Sequence, residues 1–132
     1  SKIGAIAFEE ICPVLLHAAA MDKSINSITL IGSLISYQSV VMNKLYNTGF
    51  TNNAVAGALT AYDLPDLLGC IAPRKIALVE LKDQMKQPAS KDLIDEELSF
   101  PRSVYSLKNV AKNLNIIPST DDIVSIAGWC FE

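Results

Sequence analysis

The sequence predicts an α/β domain, a three-layer unit around a four-stranded parallel sheet with right-handed crossovers. Two observations predict it. Short apolar runs recur along the chain, most of them rich in β-branched residues and unbroken by charge, as strands covered on both faces are. Between them lie helix-start signals, in which an acid or hydroxyl precedes an early proline or further acids. At 132 residues, 50% of them apolar, the chain fits one domain, residues 1–132, with a core of ordinary size.

The first strand is IGAIAF at Ile3–Phe8, and Glu9, Glu10 and Pro13 then lead into the apolar run VLLHAAAM at residues 14–21. Acids suit the positive end of a helix, and proline suits its first turn, so a buried helix follows the strand directly. INSITLI at residues 25–31, with its centre at 27–31, supplies the second strand and ends at Gly32. Residues 36–45 read as a short helix and 46–53, rich in Asn, Thr and Gly, as a loop. Asp63, Pro65 and Asp66 open the next helix as cap, first-turn proline and capping acid, and Ala72-Pro73 stops it. IALVEL at residues 76–81 is the third strand, followed by a polar segment at 82–90. Ser99 and Pro101 open a helix whose Val104, Leu107, Val110 and Ala111 recur at helical spacing, and LNII at Leu114–Ile117 is the fourth strand. Ser119 or Thr120 is expected to cap the last helix, with Asp121 and Asp122 in its first turn and Ile123, Ile126, Ala127 and Cys130 on one side. The runs at 14–21 and 76–81 are expected to be the most buried.

Composition excludes several classes. A net charge of −3 gives no electrostatic footprint for nucleic acid, and no stretch is strongly basic. The longest apolar runs fall short of the roughly 20 residues that cross a bilayer, so neither nucleic acid nor a membrane is expected as a partner. The opening residues also lack the zones of a signal peptide. Cys12, Cys70 and Cys130 are widely spaced and share the chain with one histidine, which speaks against a zinc site and for cysteines acting as small buried hydrophobes. No glycine-rich phosphate loop or dinucleotide fingerprint occurs, and no cofactor or metal is expected.

LHAAAMD at residues 16–22, GSLISYQSVV at 32–41 and above all ALTAYDLPDLLGCIAPRK at 58–75 resemble the acetyl-xylan-esterase-like, carbohydrate-esterase branch of the α/β-hydrolases. The resemblance covers nearly the whole chain but only the C-terminal half of such a hydrolase, from its nucleophile-elbow strand onward, and implies half of that fold. In the family a GxSxG turn presents the nucleophile after this strand. Here that place reads Ala7-Phe8-Glu9-Glu10-Ile11-Cys12-Pro13, a degenerate elbow without serine. Asp83 stands about where the family's acid follows the third of these strands, and the place of the family's histidine reads Pro118-Ser119-Thr120-Asp121.

A triad needs a nucleophile, a base and an orienting acid within hydrogen-bond reach. Glu9 and Glu10 cannot serve as a serine-type nucleophile, and His17 lies about two turns past the elbow, where a packed helical histidine is expected. Cys12 at a helix start could be a lowered-pKa thiol, but no base accompanies it and the neighbouring carboxylates act the other way. Glu9, Glu10, Cys12 and Asp83 therefore form a candidate vestigial site at the strand carboxyl ends. The expected function is a non-catalytic, hydrolase-like structural or interaction module. Alternatives are a piece of an active carbohydrate esterase whose catalytic residues lie outside this chain, and a small-molecule binding module at the strand ends. The resemblance implies a carbohydrate as ligand. The first strand, central in the family, becomes an edge here, and only the last helix covers the second sheet face, leaving all strands partly bare on that side. Association with itself or with a preceding segment is expected, near Trp129 and Phe131.

Overall fold

The computed structural model describes residues 2–119 and 121–132. Its centre is a four-stranded sheet in the order β1 (Ile3–Phe8), β2 (Ile25–Ile31), β3 (Lys75–Val79) and β4 (Leu114–Ile117), every neighbouring pair parallel. This is the expected sheet in sequential order. Alternation along the strands divides the core. Ile28, Leu30, Ile76 and Leu78 face one side, where they meet α1 (Cys12–Met21), α3 (Leu64–Ile71) and α5 (Ser99–Leu107). Ile31, Ala77 and Val79 face the other, under Ile126 and Cys130 of α6 (Ile123–Phe131). Helices thus cover both faces in three layers, and crossovers of one hand in a sequential sheet put the connecting helices on one side.

Several elements differ from expectation for identifiable reasons. β3 stops at Val79 because Glu80 turns into the left-handed region (φ 52°) while its N–H still donates to Ile117 O at 3.0 Å. The helix expected over 36–45 is α2 (Tyr37–Val41), with Ser36 as its cap. The 46–53 loop contains a 3-10 turn at Thr48–Asn53. A helix not anticipated, α4 (Lys91–Glu97), is capped by Ser90 and buries none of its own residues fully. On α5 the buried face is Pro101 and Tyr105, next to Leu98, whereas Leu107 is 84% exposed and Val110 and Ala111 lie beyond the helix. The last helix is capped by Asp122, whose side chain accepts from Ser125 N at 3.0 Å; Ser119 instead reaches toward Glu80, and Thr120 lies outside the described residues. Its inner face is narrower than expected, since Ile126 and Cys130 are buried, Ala127 is half-buried and Ile123 is exposed.

Burial also departs from expectation along α1. Cys12, Pro13, Leu16 and Ala19 are buried, but Val14 and Ala18 are exposed and Met21 is 87% exposed. A helix apolar on all sides normally has neighbours on all sides. The second sheet face is better covered than expected, because Ile31, Ala77 and Val79 of the central strands are buried there and bare apolar surface is confined to the outer strands.

Arg74, at the amino end of β3, fastens the layers. Its guanidinium donates to Ile71 O (3.1 Å), Asp22 O (3.1 Å), Ile25 O (2.7 Å) and Ala19 O (2.7 Å), satisfying carbonyls left open where α1 and α3 end. Tyr105, fully buried, donates its hydroxyl to Arg74 O at 2.8 Å and so holds α5 to the same point.

Candidate functional site

The strand-to-helix turn after β1 is sharp. Glu9 follows the last residue of the strand directly and adopts φ 45°, a left-handed conformation that carries strain for a residue with a long side chain. A single 3-10 turn (Glu9–Ile11) then runs straight into α1. The turn needs room from its neighbour, and Gly32, itself at φ 70° after β2, provides it. A Cβ on Gly32 would sit 3.3 Å from Glu9 Cγ.

Beneath the turn lies Cys12, fully buried, its thiol 3.3 Å from Ala7 O and 3.4 Å from Ile31 O. One S–H is shared between two carbonyl acceptors near the carboxyl ends of adjacent strands. Burial pushes this thiol up from its ordinary 9.0 to about 11, with Glu9 adding to the rise and hydrogen bonds only partly opposing it. At neutral pH it is a protonated cross-tie, and its burial is that expected of a small hydrophobe. Cys130 behaves likewise, its thiol raised mainly by burial and paired with Thr29 Oγ1 at 2.9 Å. Cys70, expected to be buried as well, is instead exposed on α3.

Glu10 points to a lysine that the sequence did not single out. Its carboxylate accepts from Lys86 Nζ at 2.6 Å, and that ammonium also lies 5.4 Å from the centroid of the Phe50 ring. Lys86 belongs to the turn after β3 and is left-handed (φ 59°), a conformation with no local signal in the sequence. Asp83 holds that turn. Its Oδ1 accepts from Met85 N (2.8 Å) and Gln87 N (3.0 Å), and its main-chain O accepts from Lys86 N (3.1 Å). The structure thus links Glu10 to the Asp83 turn through Lys86. Asp83 directs its Oδ1 to its own loop, as Asx turns do.

His17 is a packed histidine. One ring nitrogen, Nδ1, lies 2.6 Å from Pro13 O, a carbonyl that can only accept, so Nδ1 carries the proton and Nε2 accepts from Tyr62 OH at 2.8 Å. Both nitrogens are engaged, and neither serves the turn at Glu9. Asp63 and Asp66 form the expected capping box on α3, and Asp63 also accepts from Tyr37 N and Gln38 N, so one carboxylate ties α2 to α3.

A separate groove of about 420 Å³ opens beside α2, lined by Leu34, Tyr37, Val40, Tyr46, Phe50 and Leu59. None of Glu9, Glu10, Cys12 and Asp83 lines it. No helix of the described residues is long and apolar enough to cross a membrane, and no cluster of three or more metal-ligating side chains occurs among them. Compared with known protein families, curated proteins and solved structures, the chain matches none.

Proposed function

We propose that this domain is a non-catalytic, hydrolase-like structural or interaction module, the carbohydrate-esterase resemblance surviving in its framework and not in its chemistry. The observation that carries this reading is the turn at Glu9. A strand, a left-handed residue and a helix in immediate succession form the local geometry by which α/β-hydrolases expose a nucleophile, yet the residue at its apex is a glutamate. The chain's one histidine is held by Pro13 and Tyr62, and Cys12 is a buried, protonated thiol. Asp83, about where the resemblance puts the family's acid, has its Oδ1 taken by its own turn. A nucleophile without an adjacent base gains little.

The test is hydrolysis of short acyl esters, p-nitrophenyl acetate first, by the purified 132-residue chain. A rate no greater than that of an equal concentration of free imidazole and carboxylate is expected. Turnover abolished by Glu9→Gln, Glu10→Gln or Cys12→Ala would overturn the reading.

The groove beside α2 favours a second reading, a binding module for a small apolar molecule. Its volume is in the range of ligand pockets and its lining is mainly apolar, which suits an aromatic or acyl group better than a sugar. A thermal-shift screen of aromatic and short-chain acids checks it, since a ligand at a hundred times its Kd stabilises by about 2.7 kcal/mol.

A further inference from the structure

The free edge of β1 carries an inference that is independent of whether the Glu9 turn is catalytic. β1 pairs only with β2, so one side of its backbone presents hydrogen-bonding groups that no described strand satisfies. Its side chains do not discourage a partner. Ile3 is 46% exposed and Phe8 52%, and Ile11, just beyond the strand, is exposed as well. At the start of the strand Phe131 of α6 packs against Gly4, where a Cβ would come within 2.1 Å of the ring, and Phe131 is itself 57% exposed. Trp129, in contrast, is occupied within the chain, under Lys75 and against the α6-side core.

We propose that β1 pairs antiparallel with β1 of a second copy, joining two sheets into one across a two-fold axis perpendicular to them. Such an axis leaves each residue on its own face, so opposed residues must share parity along the strand. Two registers meet this condition near the strand centre. With Ala5 on the axis, Phe8 faces the partner's Lys2 and Ile6 faces the partner's Gly4. With Ile6 on the axis, Phe8 faces the partner's Gly4 and meets the exposed ring of the partner's Phe131 that covers that glycine, while Ala5 faces the partner's Ala7. Lys2 then comes to the partner's Glu9–Glu10 end. The second register sets one exposed ring against another and cation against anion, and neither Lys2 nor Glu9 has an ion pair among the described residues. Charge matching of this kind fixes register more than it adds affinity. The apolar side chains exposed beside the edge also select a strand that is itself covered, which a second copy of β1 supplies and a polar peptide does not.

Sedimentation equilibrium of the whole chain at high micromolar concentration should show a dimer. Phe8→Lys, at an exposed side chain, should weaken it at least about tenfold by removing the ring that packs on the partner's Phe131 and putting in its place a charge that the interface would strip of water, while Val124→Lys on the outer side of α6 should leave it unchanged. In a Cys70→Ser background Ile6→Cys should oxidise to a disulfide-linked dimer, because directly opposed antiparallel residues stand about 4.5–5.5 Å apart at Cα, within disulfide reach. Val124→Cys in the same background should not. A monomeric native chain at that concentration, or a dimer indifferent to Phe8→Lys in which Ile6→Cys does not cross-link, would overturn the proposal.

Discussion

The sheet ends on two strands of different construction. β4 is four residues long, carries Asn115 in its middle and runs into Pro118, and all its side chains are half-buried. Short length and a neighbouring proline are ordinary ways to blunt an edge. β1 is six residues of IGAIAF, with Lys2 before it and one register irregularity at Ile3/Gly4 as its only interruptions. The adjoining helix repeats the contrast, for α1 exposes Val14 and Met21, whereas near β4 the flanking Asn113 donates to Pro73 O at 2.8 Å. One edge is finished and the other is open. A strand covered by helices on both faces has to be apolar to fold, and the same property makes it a pairing template when its side is left free.

The largest effects are expected where the contrast between centre and edge is greatest. Leu78→Asp, in the fully buried middle of β3, places an unpaired charge in the core and should abolish cooperative folding, a loss of more than about 4 kcal/mol. Phe8→Lys on the β1 edge should change the unfolding free energy of the monomer in urea by less than about 1 kcal/mol. Equal losses would mean that the β1 side is already sealed within the monomer.

Arg74→Ala should cost about 2–3 kcal/mol in the same titration, because it strips donors from the carbonyls that end α1 and α3 and begin β2. Lysine cannot span those acceptors, so Arg74→Lys should recover little of the loss. Since α1 anchors the β1 side to this arginine, hydrogen exchange in β1 should accelerate more than in β4.

The Cys12 tie predicts a pH dependence on the β1 side. Its thiol is neutral in both folded and unfolded chains below pH 9.0, so its contribution is intact there. Between 9.0 and about 11 the unfolded thiol ionises and the folded one does not, so stability should fall with rising pH, by on the order of 1–3 kcal/mol over the window. Cys12→Ala should flatten that slope in alkaline urea titrations. A slope unchanged by the substitution would assign it to the buried tyrosines, of which Tyr37 is pushed up to about 12 by burial.

Smaller effects belong to the turn itself. Gly32→Ala should destabilise by about 1–2 kcal/mol, since alanine is strained at φ 70° and its Cβ meets Glu9 Cγ. Glu9→Gly removes a left-handed glutamate and should stabilise by up to about 1 kcal/mol, whereas Glu9→Gln keeps the same backbone cost and should change little. Thermal melts of the three variants separate these outcomes.

Much of this fold was legible in the sequence, because runs such as SITLI and IALV are buried between helices on both faces and read as such, while IGAIAF has the same character on an edge where only Ala7 is buried. β1 and β4 match their expected spans, and the Asp63–Asp66 capping box could be read from spacing alone. What escaped has physical reasons. KDLIDEE forms α4 with no fully buried face, so periodicity gave no signal. Three consecutive capping residues, Ser119, Thr120 and Asp121, obscured Asp122 as the cap. At the candidate site the positions of Glu9, Glu10 and Cys12 followed from the strand-to-helix order. The Lys86 contact depends on a left-handed lysine in a turn that Asp83 organises, which nothing in the local sequence specifies.

Amide hydrogen exchange resolved by strand, measured on the native chain at low and at high micromolar concentration, tests the contrast between the two edges most directly. Amides of β1 are expected to gain protection with concentration while those of β4 exchange at the same rate in both samples. Unchanged exchange in β1, or concentration-dependent protection of β4 in its place, would contradict it.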